Sequence, residues 1–314
     1  MKVIVRTLDK DMAHIIGNMY ISAYDMLKEK YSLAIDTIDE IIITEDLMAT
    51  LEKKSFEYGH EKCASTISNE FVESKILMLS NKSEPKKHCI IIDHDAVMTI
   101  RAVGTNLLDQ AVSIDVHRIH HEFIHVHEEN ITKLNMNIVL RSIDVAVLFP
   151  AYTCNSEYLA NRMSSSTANI FDIKSTLENF INLIEHTPKK IYEITSKIKS
   201  GHPIDSGTFE LINEMMRHMF ACIGYALGYI EGLDIDLKEK FPDLYHRFAG
   251  NILSHNILLV NDALDNLFKK FQSGELIDYS CYEELTEEVH LIYNRLGIIL
   301  QEDLSGNVNY YLKN

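Results

Sequence analysis

The sequence predicts an α+β protein that is predominantly helical, with a small mixed domain in residues 1–168 and an all-α domain in residues 169–314. Three observations support this prediction. Glycine and proline number only 12 and 5 in 314 residues, which favours long helices over many turns. Short β-branched runs occur in the first hundred residues. Beyond Phe171 the apolar residues follow helical spacing alone.

The first domain is expected to contain three strands and two long helices. Alternating or continuous β-branched residues predict the strands, and apolar residues at three- and four-residue spacing predict the helices. Apolar spacing also predicts a mostly helical segment in residues 45–80, although residues 71–79 fit either a helix or a strand. The predicted strands are residues 1–6, 38–44 and 88–92, and the predicted helices are residues 10–31 and 106–129.

After a helical stretch near 131–148, Pro150 predicts a break, followed by a shorter helix from about Thr153. The most apolar segment, residues 218–230, is too short to span a bilayer, so we expect it to form the core of the second domain. The helices expected in that domain are residues 173–186, 188–199, 206–231, 237–272 with an interruption, and 282–301.

Charge and cysteine usage limit the partners and the compartment. A net charge of −16 argues against a nucleic-acid surface, which needs clustered Lys and Arg. The five cysteines form no CxxC pair, and the first residues lack the apolar core of a signal peptide. We therefore expect a cytoplasmic protein with neither nucleic-acid nor membrane partners; its oligomeric state is not indicated.

The strongest chemical signal is the HExxH motif His121-Glu122-Phe123-Ile124-His125 in a predicted helix. Residues four apart on a helix project side by side, so His121 and His125 can bind one Zn²⁺. Glu122 is displaced by about 100° and is placed to act as general base toward a zinc-activated water. The alternative is a solvated His-rich helix face that binds no metal, since His117, His120 and His127 lie on the same helix.

A catalytic zinc needs a third protein ligand. Asp144, Glu128 and Glu129 are weak candidates, and Glu128 lies roughly 10 Å along the axis from His121 at 1.5 Å per residue. Glu157 is better placed, on the short helix after Pro150, with Asn161 one turn further to orient a ligand from the second shell. The alternative is that Glu157 is an exposed first-turn residue favoured by the helix dipole.

HExxH followed by Glu157-Tyr158-Leu159-Ala160-Asn161 resembles the gluzincins, and the ExxAN form is similar to the ImmA/IrrE-type metallopeptidases. The resemblance covers about residues 105–164. It implies a minimal zincin fold with His121, His125 and Glu157 as zinc ligands and Glu122 as base. It also implies an endopeptidase acting on a protein such as a repressor. Two features differ from that family, namely a longer spacing from His125 to Glu157 and Arg162-Met163-Ser164-Ser165 after the second motif.

Peptide hydrolysis also needs a donor to the developing oxyanion, for which Tyr152, Tyr158, His202 and His218 are candidates. His117 is expected on the helix surface, and Asp93-His94-Asp95 is expected to cap a helix rather than to bind a cation. No phosphate-binding loop, GxSxG motif or other cofactor-binding signature is present.

These patterns predict a zinc-dependent hydrolase, specifically an intracellular metallopeptidase acting on a polypeptide. Two alternatives remain open. One is a catalytically inactive zincin-fold module that regulates or binds a protein, and the other is a helical interaction protein with a coincidental motif. Metal content distinguishes the second alternative from the others, and a Glu122→Gln variant distinguishes the first.

Overall fold

The chain forms a predominantly helical α+β structure, as predicted. The computed structural model describes residues 1–6, 9–60, 76–81, 85–132, 142–199, 206–276, 278–302 and 308–312. Its compact units are Met1–Ile131 with Thr167–Asn169, and Thr132–Ser166 with Ile170–Asn314. The domain boundary at residue 168 stays a prediction, and the compact units differ from it by grouping residues 132–166 with the second unit.

The first unit contains a four-stranded sheet in the order β1-β2-β4-β3. The strands β1, β2 and β4 are parallel, and β3 joins the edge antiparallel to β4. Both central strands are mostly apolar and are buried on both faces, as expected for parallel strands covered by helices. Their bounds are β1 Lys2–Val5, β2 Ile38–Thr44, β3 Ile76–Ser80 and β4 His88–Asp93.

The helices of the first unit cover this sheet. Two of them, α1 and α4, begin and end within two residues of the predicted bounds. The predicted helical segment 45–80 is a shorter helix followed by strand β3, and residues 61–75 of it lie outside the described residues. In one buried cluster, Leu51 and Tyr58 pack against Ile42 and Ile91 of the sheet. The helices are α1 Lys10–Tyr31, α2 Leu47–Glu57, α3 Met98–Ala102 and α4 Leu108–Ile131.

The second unit is built around its apolar central helix, which confirms the predicted core in residues 218–230. Its buried positions there include Met219, Phe220, Ile223 and Ala226. No helix in the described part of the chain combines the length and apolarity needed to cross a membrane. The helices of this unit are α5 Ser142–Ser164, α6 Ile170–Lys199, α7 Ser206–Gly232, α8 Leu237–Lys240, α9 Pro242–Ala249, α10 Ser254–Ser273 and α11 Glu283–Arg295.

Two predicted helix boundaries at proline are wrong. Pro150 lies inside α5, and Pro188 lies inside α6, which joins the helices predicted at 173–186 and 188–199. A proline inside a helix costs about 3 kcal/mol in isolation. Both prolines are buried, and apolar side chains on either side of each are buried with them, so tertiary packing offsets that cost. Residues 133–141 of the helical stretch predicted near 131–148 lie outside the described residues.

The prediction of an all-α second domain is also wrong, because Ile298–Glu302 (β5) and Val308–Leu312 (β6) form an antiparallel pair. Gly297, at φ +82°, ends the helix that was predicted to continue to residue 301. Aromatic contacts hold the pair in place, since the Tyr310 ring stacks on Phe209 at 4.4 Å. Asn213 also donates to the Tyr310 hydroxyl at 2.6 Å. Long-range contacts of this kind cannot be recognised from local periodicity.

Helices α5 and α7 pack with their backbones unusually close. Gly224, Gly228 and Gly232 lie four residues apart along one face of α7. A Cβ atom at Gly224 would lie 2.2 Å from the carbonyl oxygen of Cys154, and one at Gly228 would lie 2.7 Å from that of Tyr158. Only glycine permits this approach. The advancing order of the contacts along both helices shows that α5 and α7 are parallel.

Candidate metal centre

The two histidines of the HExxH motif face each other on α4. Their rings are almost perpendicular, with centroids 4.8 Å apart, and their Nε2 atoms are 3.1 Å apart. Zinc–nitrogen bonds of 2.0–2.1 Å in a tetrahedron place two ligand nitrogens about 3.3 Å apart. The separation between the His121 and His125 nitrogens therefore suits a shared ion.

Glu157 completes the group. One donor atom from each of His121, His125 and Glu157 lies within 4.8 Å of the others. Among the residues that the structure describes, this is the one set of three or more His, Cys, Asp or Glu side chains with such geometry. His121 is 8% exposed, and the Oε2 atom of Glu157 is buried. Two imidazoles and a carboxylate are a donor set that zinc accepts, so these residues fit a divalent metal ion.

The N-terminal half of α4 is held by a buried carboxylate. Asp115, 2% exposed, accepts hydrogen bonds from the backbone N–H groups of Met98 at 2.9 Å and Thr99 at 2.8 Å. Burial raises the pKa of Asp115, and the hydrogen bonds oppose that shift. One turn later, Arg118 donates to the Ala96 carbonyl oxygen at 2.7 Å. These bonds fix α4 to the start of α3 through residues six and three positions before His121.

The C-terminal end of α4 is held to the sheet by a chain of polar side chains. The Glu129 carboxylate accepts from His88 at 2.9 Å and from Lys86 at 2.8 Å. His88, which is fully buried, also contacts the Thr37 hydroxyl at 2.8 Å. Burial raises the pKa of Glu129, but the bonds from His88 and Lys86 outweigh burial and lower that pKa to about 2. Glu129 is therefore ionised and is paired with His88 on β4 and with Lys86 just before that strand.

Neighbouring residues add a second attachment at the same end. Asn130 donates to the Ala34 carbonyl oxygen at 2.6 Å and to the Thr37 hydroxyl at 2.7 Å. The Ala34 N–H donates to Nδ1 of His127 at 2.9 Å. Because α4 is fixed both before and after the motif, the rotation that presents His121 and His125 is set by the fold of the first unit.

Glu157 is positioned by the packing of α5 in the second unit. Its neighbour Tyr158 is fully buried, and its hydroxyl is hydrogen bonded to Arg162. Arg162 is also paired with Asp265 at 2.8 Å. Asn161, predicted to orient a ligand, donates to the Tyr225 carbonyl oxygen on α7 at 2.9 Å. These contacts set the rotation of α5, and the second-shell role of Asn161 stays a prediction.

The remaining predicted residues occupy varied environments. Glu122 is partly buried on α4, next to His121. Burial raises the pKa of Tyr158, and Arg162 lowers it only in part. The Tyr152 ring lies 6.0 Å from that of buried Tyr282, and His218 is partly buried on α7. His202 lies outside the described residues. The catalytic role of Glu122 and the oxyanion roles stay predictions.

Two expected alternatives do not match the structure. The His-rich face is not solvated, because His117, His120 and His121 are buried and the other two histidines are partly buried. His117, expected on the helix surface, is 4% exposed; it and His120 each contact the Thr167 hydroxyl at 3.0 Å. Glu157 lies well inside α5 rather than in an exposed first turn. Asp93 does cap a short 3₁₀ helix through the Asp95 N–H, as predicted.

Glu128 is the residue whose position the sequence did not reveal. The sequence suggests it only as a weak metal ligand, yet its Oε2 atom lies 3.9 Å from Nδ1 of His125, on the ring side opposite the paired Nε2 atoms. The three-residue spacing between His125 and Glu128 was the available signal. Such spacing is too common on helices to be recognised without knowing that the carboxylate is buried.

The resemblance to gluzincins rests on the two sequence motifs and stays a prediction. Comparison with protein-family models, with curated proteins and with solved structures found no match for this chain.

Proposed function

We propose that this protein is a zinc-dependent hydrolase that cleaves peptide bonds, with His121, His125 and Glu157 as metal ligands and Glu122 as general base. The observation that carries the proposal is the grouping of the three donor atoms within 4.8 Å. Their residues come from two motifs more than thirty positions apart, so helical spacing alone does not bring Glu157 to the histidines.

A divalent ion held by these residues supplies Lewis acidity toward water and toward the substrate carbonyl. Glu122 follows His121 on α4 and is displaced about 100° around the helix, so its carboxylate lies beside the ligands rather than among them. In the proposed reaction it takes a proton from the attacking water and delivers it to the leaving amine nitrogen. Its partial burial is compatible with this role, since the carboxylate must remain accessible to the attacking water and to the leaving nitrogen.

The substrate in this proposal is a polypeptide, and the compartment is the cytoplasm. The acidic net charge of −16 favours encounter with neutral or basic segments over acidic ones. Cys89, Cys154, Cys222 and Cys281 are free thiols, which suits a reducing compartment.

Metal content tests the proposal first. Purified protein is expected to carry about one zinc ion per chain by elemental analysis, the count for one site of three protein ligands. His121→Ala and Glu157→Ala should lose that ion, and His255→Ala, an exposed histidine on α10, should retain it. Wild-type protein that contains no transition metal and takes up none when titrated with zinc chloride would contradict the proposal.

Peptide hydrolysis tests the proposed role of Glu122 as general base. Glu122→Gln should retain zinc, because the residue is not a ligand, yet lose cleavage of a labelled library of neutral and basic peptides. Removing a general base costs typically 10²–10⁴-fold in rate. A metal-loaded wild-type protein that cleaves no peptide of this library would favour the inactive binding module. Near-wild-type cleavage by Glu122→Gln would exclude the proposed mechanism.

A further inference from the structure

The two ring nitrogens of His125 face different groups. Its Nε2 atom lies 3.1 Å from Nε2 of His121, on the side where a metal would bind. Its Nδ1 atom lies 3.9 Å from Oε2 of Glu128, one turn further along α4. The side chains of His125 and Glu128 are only 15% and 4% exposed, so this contact is poorly screened by water.

A carboxylate beside one imidazole nitrogen selects the tautomer of the ring. The negative charge favours the neutral form whose proton is on Nδ1, which leaves the lone pair on Nε2. At 3.9 Å the interaction is electrostatic rather than a formed hydrogen bond. Histidine ligands of metals commonly have such a carboxylate on their second nitrogen, where it orients the ring and increases its basicity.

We propose that Glu128 is a positioning residue for the metal site, holding His125 with Nε2 as the donor atom. This inference rests on the proposed function, because it assigns a role toward the same ion. Glu128 is too far along the axis from His121 to be a common ligand, so its effect is exerted through the His125 ring.

The first turn of α4 provides a matched control. Asp109 is also a carboxylate on α4, but it is exposed and lies sixteen residues before His125. Asp109→Asn therefore removes the same charge from the same helix without changing the contact at His125. Any effect specific to Glu128→Gln then reports on the His125 imidazole rather than on the net charge of the helix.

The test measures zinc affinity and the His125 tautomer in the full chain. Competition with a chelating dye should show affinity about 10–100-fold weaker in Glu128→Gln than in wild type. Asp109→Asn should bind zinc as wild type does. Nitrogen NMR of metal-free, ¹⁵N-histidine-labelled protein should show the Nδ1-protonated form of His125 in wild type and a shift away from it in Glu128→Gln. The His125→Asn variant assigns the signal.

Unchanged affinity and tautomer in Glu128→Gln would overturn the inference. If that variant does not fold, Glu128→Asp keeps the charge on a shorter side chain and should have intermediate affinity; a wild-type His125 protonated on Nε2 would still overturn the inference. Wild-type protein that binds no zinc would reject the proposed function, whereas the tautomer in metal-free protein would still report on Glu128.

Discussion

The two helices that carry the predicted ligands are held by different physics. Helix α4, with His121 and His125, is attached within its own unit by buried polar groups, namely Asp115 toward α3 and Glu129 toward the sheet. Helix α5, with Glu157, is attached by close backbone packing against the glycine face of α7. Helix α4 depends chiefly on buried carboxylates, whereas helix α5 adds to its polar contacts a close approach that leaves no room for side chains.

This difference predicts how the attachment of each helix responds to substitution and to pH. Electrostatic attachments weaken when a charge is removed or titrated, and their loss is graded with pH. A steric attachment has no such dependence, but it tolerates almost no added volume. Substitutions in the two units should therefore be distinguishable by their size and by their pH profile.

The largest effect is expected at the glycine face. Gly224→Ala places a Cβ atom 2.2 Å from the Cys154 carbonyl oxygen, and backbone on the opposing helix cannot move aside cheaply. We expect a loss of about 3 kcal/mol in the free energy of unfolding, the upper end for overpacking. Denaturant titration measures it, and the loss should be the same at pH 5 and pH 8.

Gly17→Ala is the matched control for that substitution. Gly17 lies in α1, and the nearest atom to an added Cβ there is 4.0 Å away. Alanine should stabilise the helix by up to about 1 kcal/mol through its propensity. Equal destabilisation by both substitutions would show that the loss comes from replacing any helix glycine, and not from the close approach of α5 and α7.

An intermediate, pH-dependent effect is expected at Glu129. Because its folded pKa is about 2 and the ordinary value is 4.5, the ionised pair stabilises the fold above about pH 4.5, and that stability is lost as the pH falls toward 2. Glu129→Gln should lower the free energy of unfolding by about 2–3 kcal/mol at pH 7 and by little near pH 2. The comparison uses denaturation at several pH values, with the exposed Glu52→Gln as control. A constant difference across this range would contradict the pairing with His88 and Lys86.

The smallest effect is expected at Asp115. Asp115→Ala leaves the N–H groups of Met98 and Thr99 without their acceptor, and loss of such a cap costs about 1–2 kcal/mol. Burial raises the pKa of Asp115, so part of the bonding energy is already offset by desolvation. Thermal unfolding measures the loss, and an effect larger than that of Gly224→Ala would reverse the comparison between the two helices.

The sequence by itself determined the elements whose signals are local. Helix α1 and strand β2 have the predicted bounds, since a cap at Asp9 and a β-branched run mark them without reference to the rest of the chain. The HExxH spacing likewise placed His121 and His125 together, because helical geometry alone brings residues four apart onto one face.

Only the tertiary structure decided the rest. Pro150 and Pro188 remain inside helices because burial outweighs a local cost, and the hairpin at β5 depends on contacts with α7 that no local pattern encodes. The same reason applies to the candidate site. Neither the distance from Glu157 to the histidines nor the burial of Glu128 can be read from spacing, since both depend on how separate segments pack.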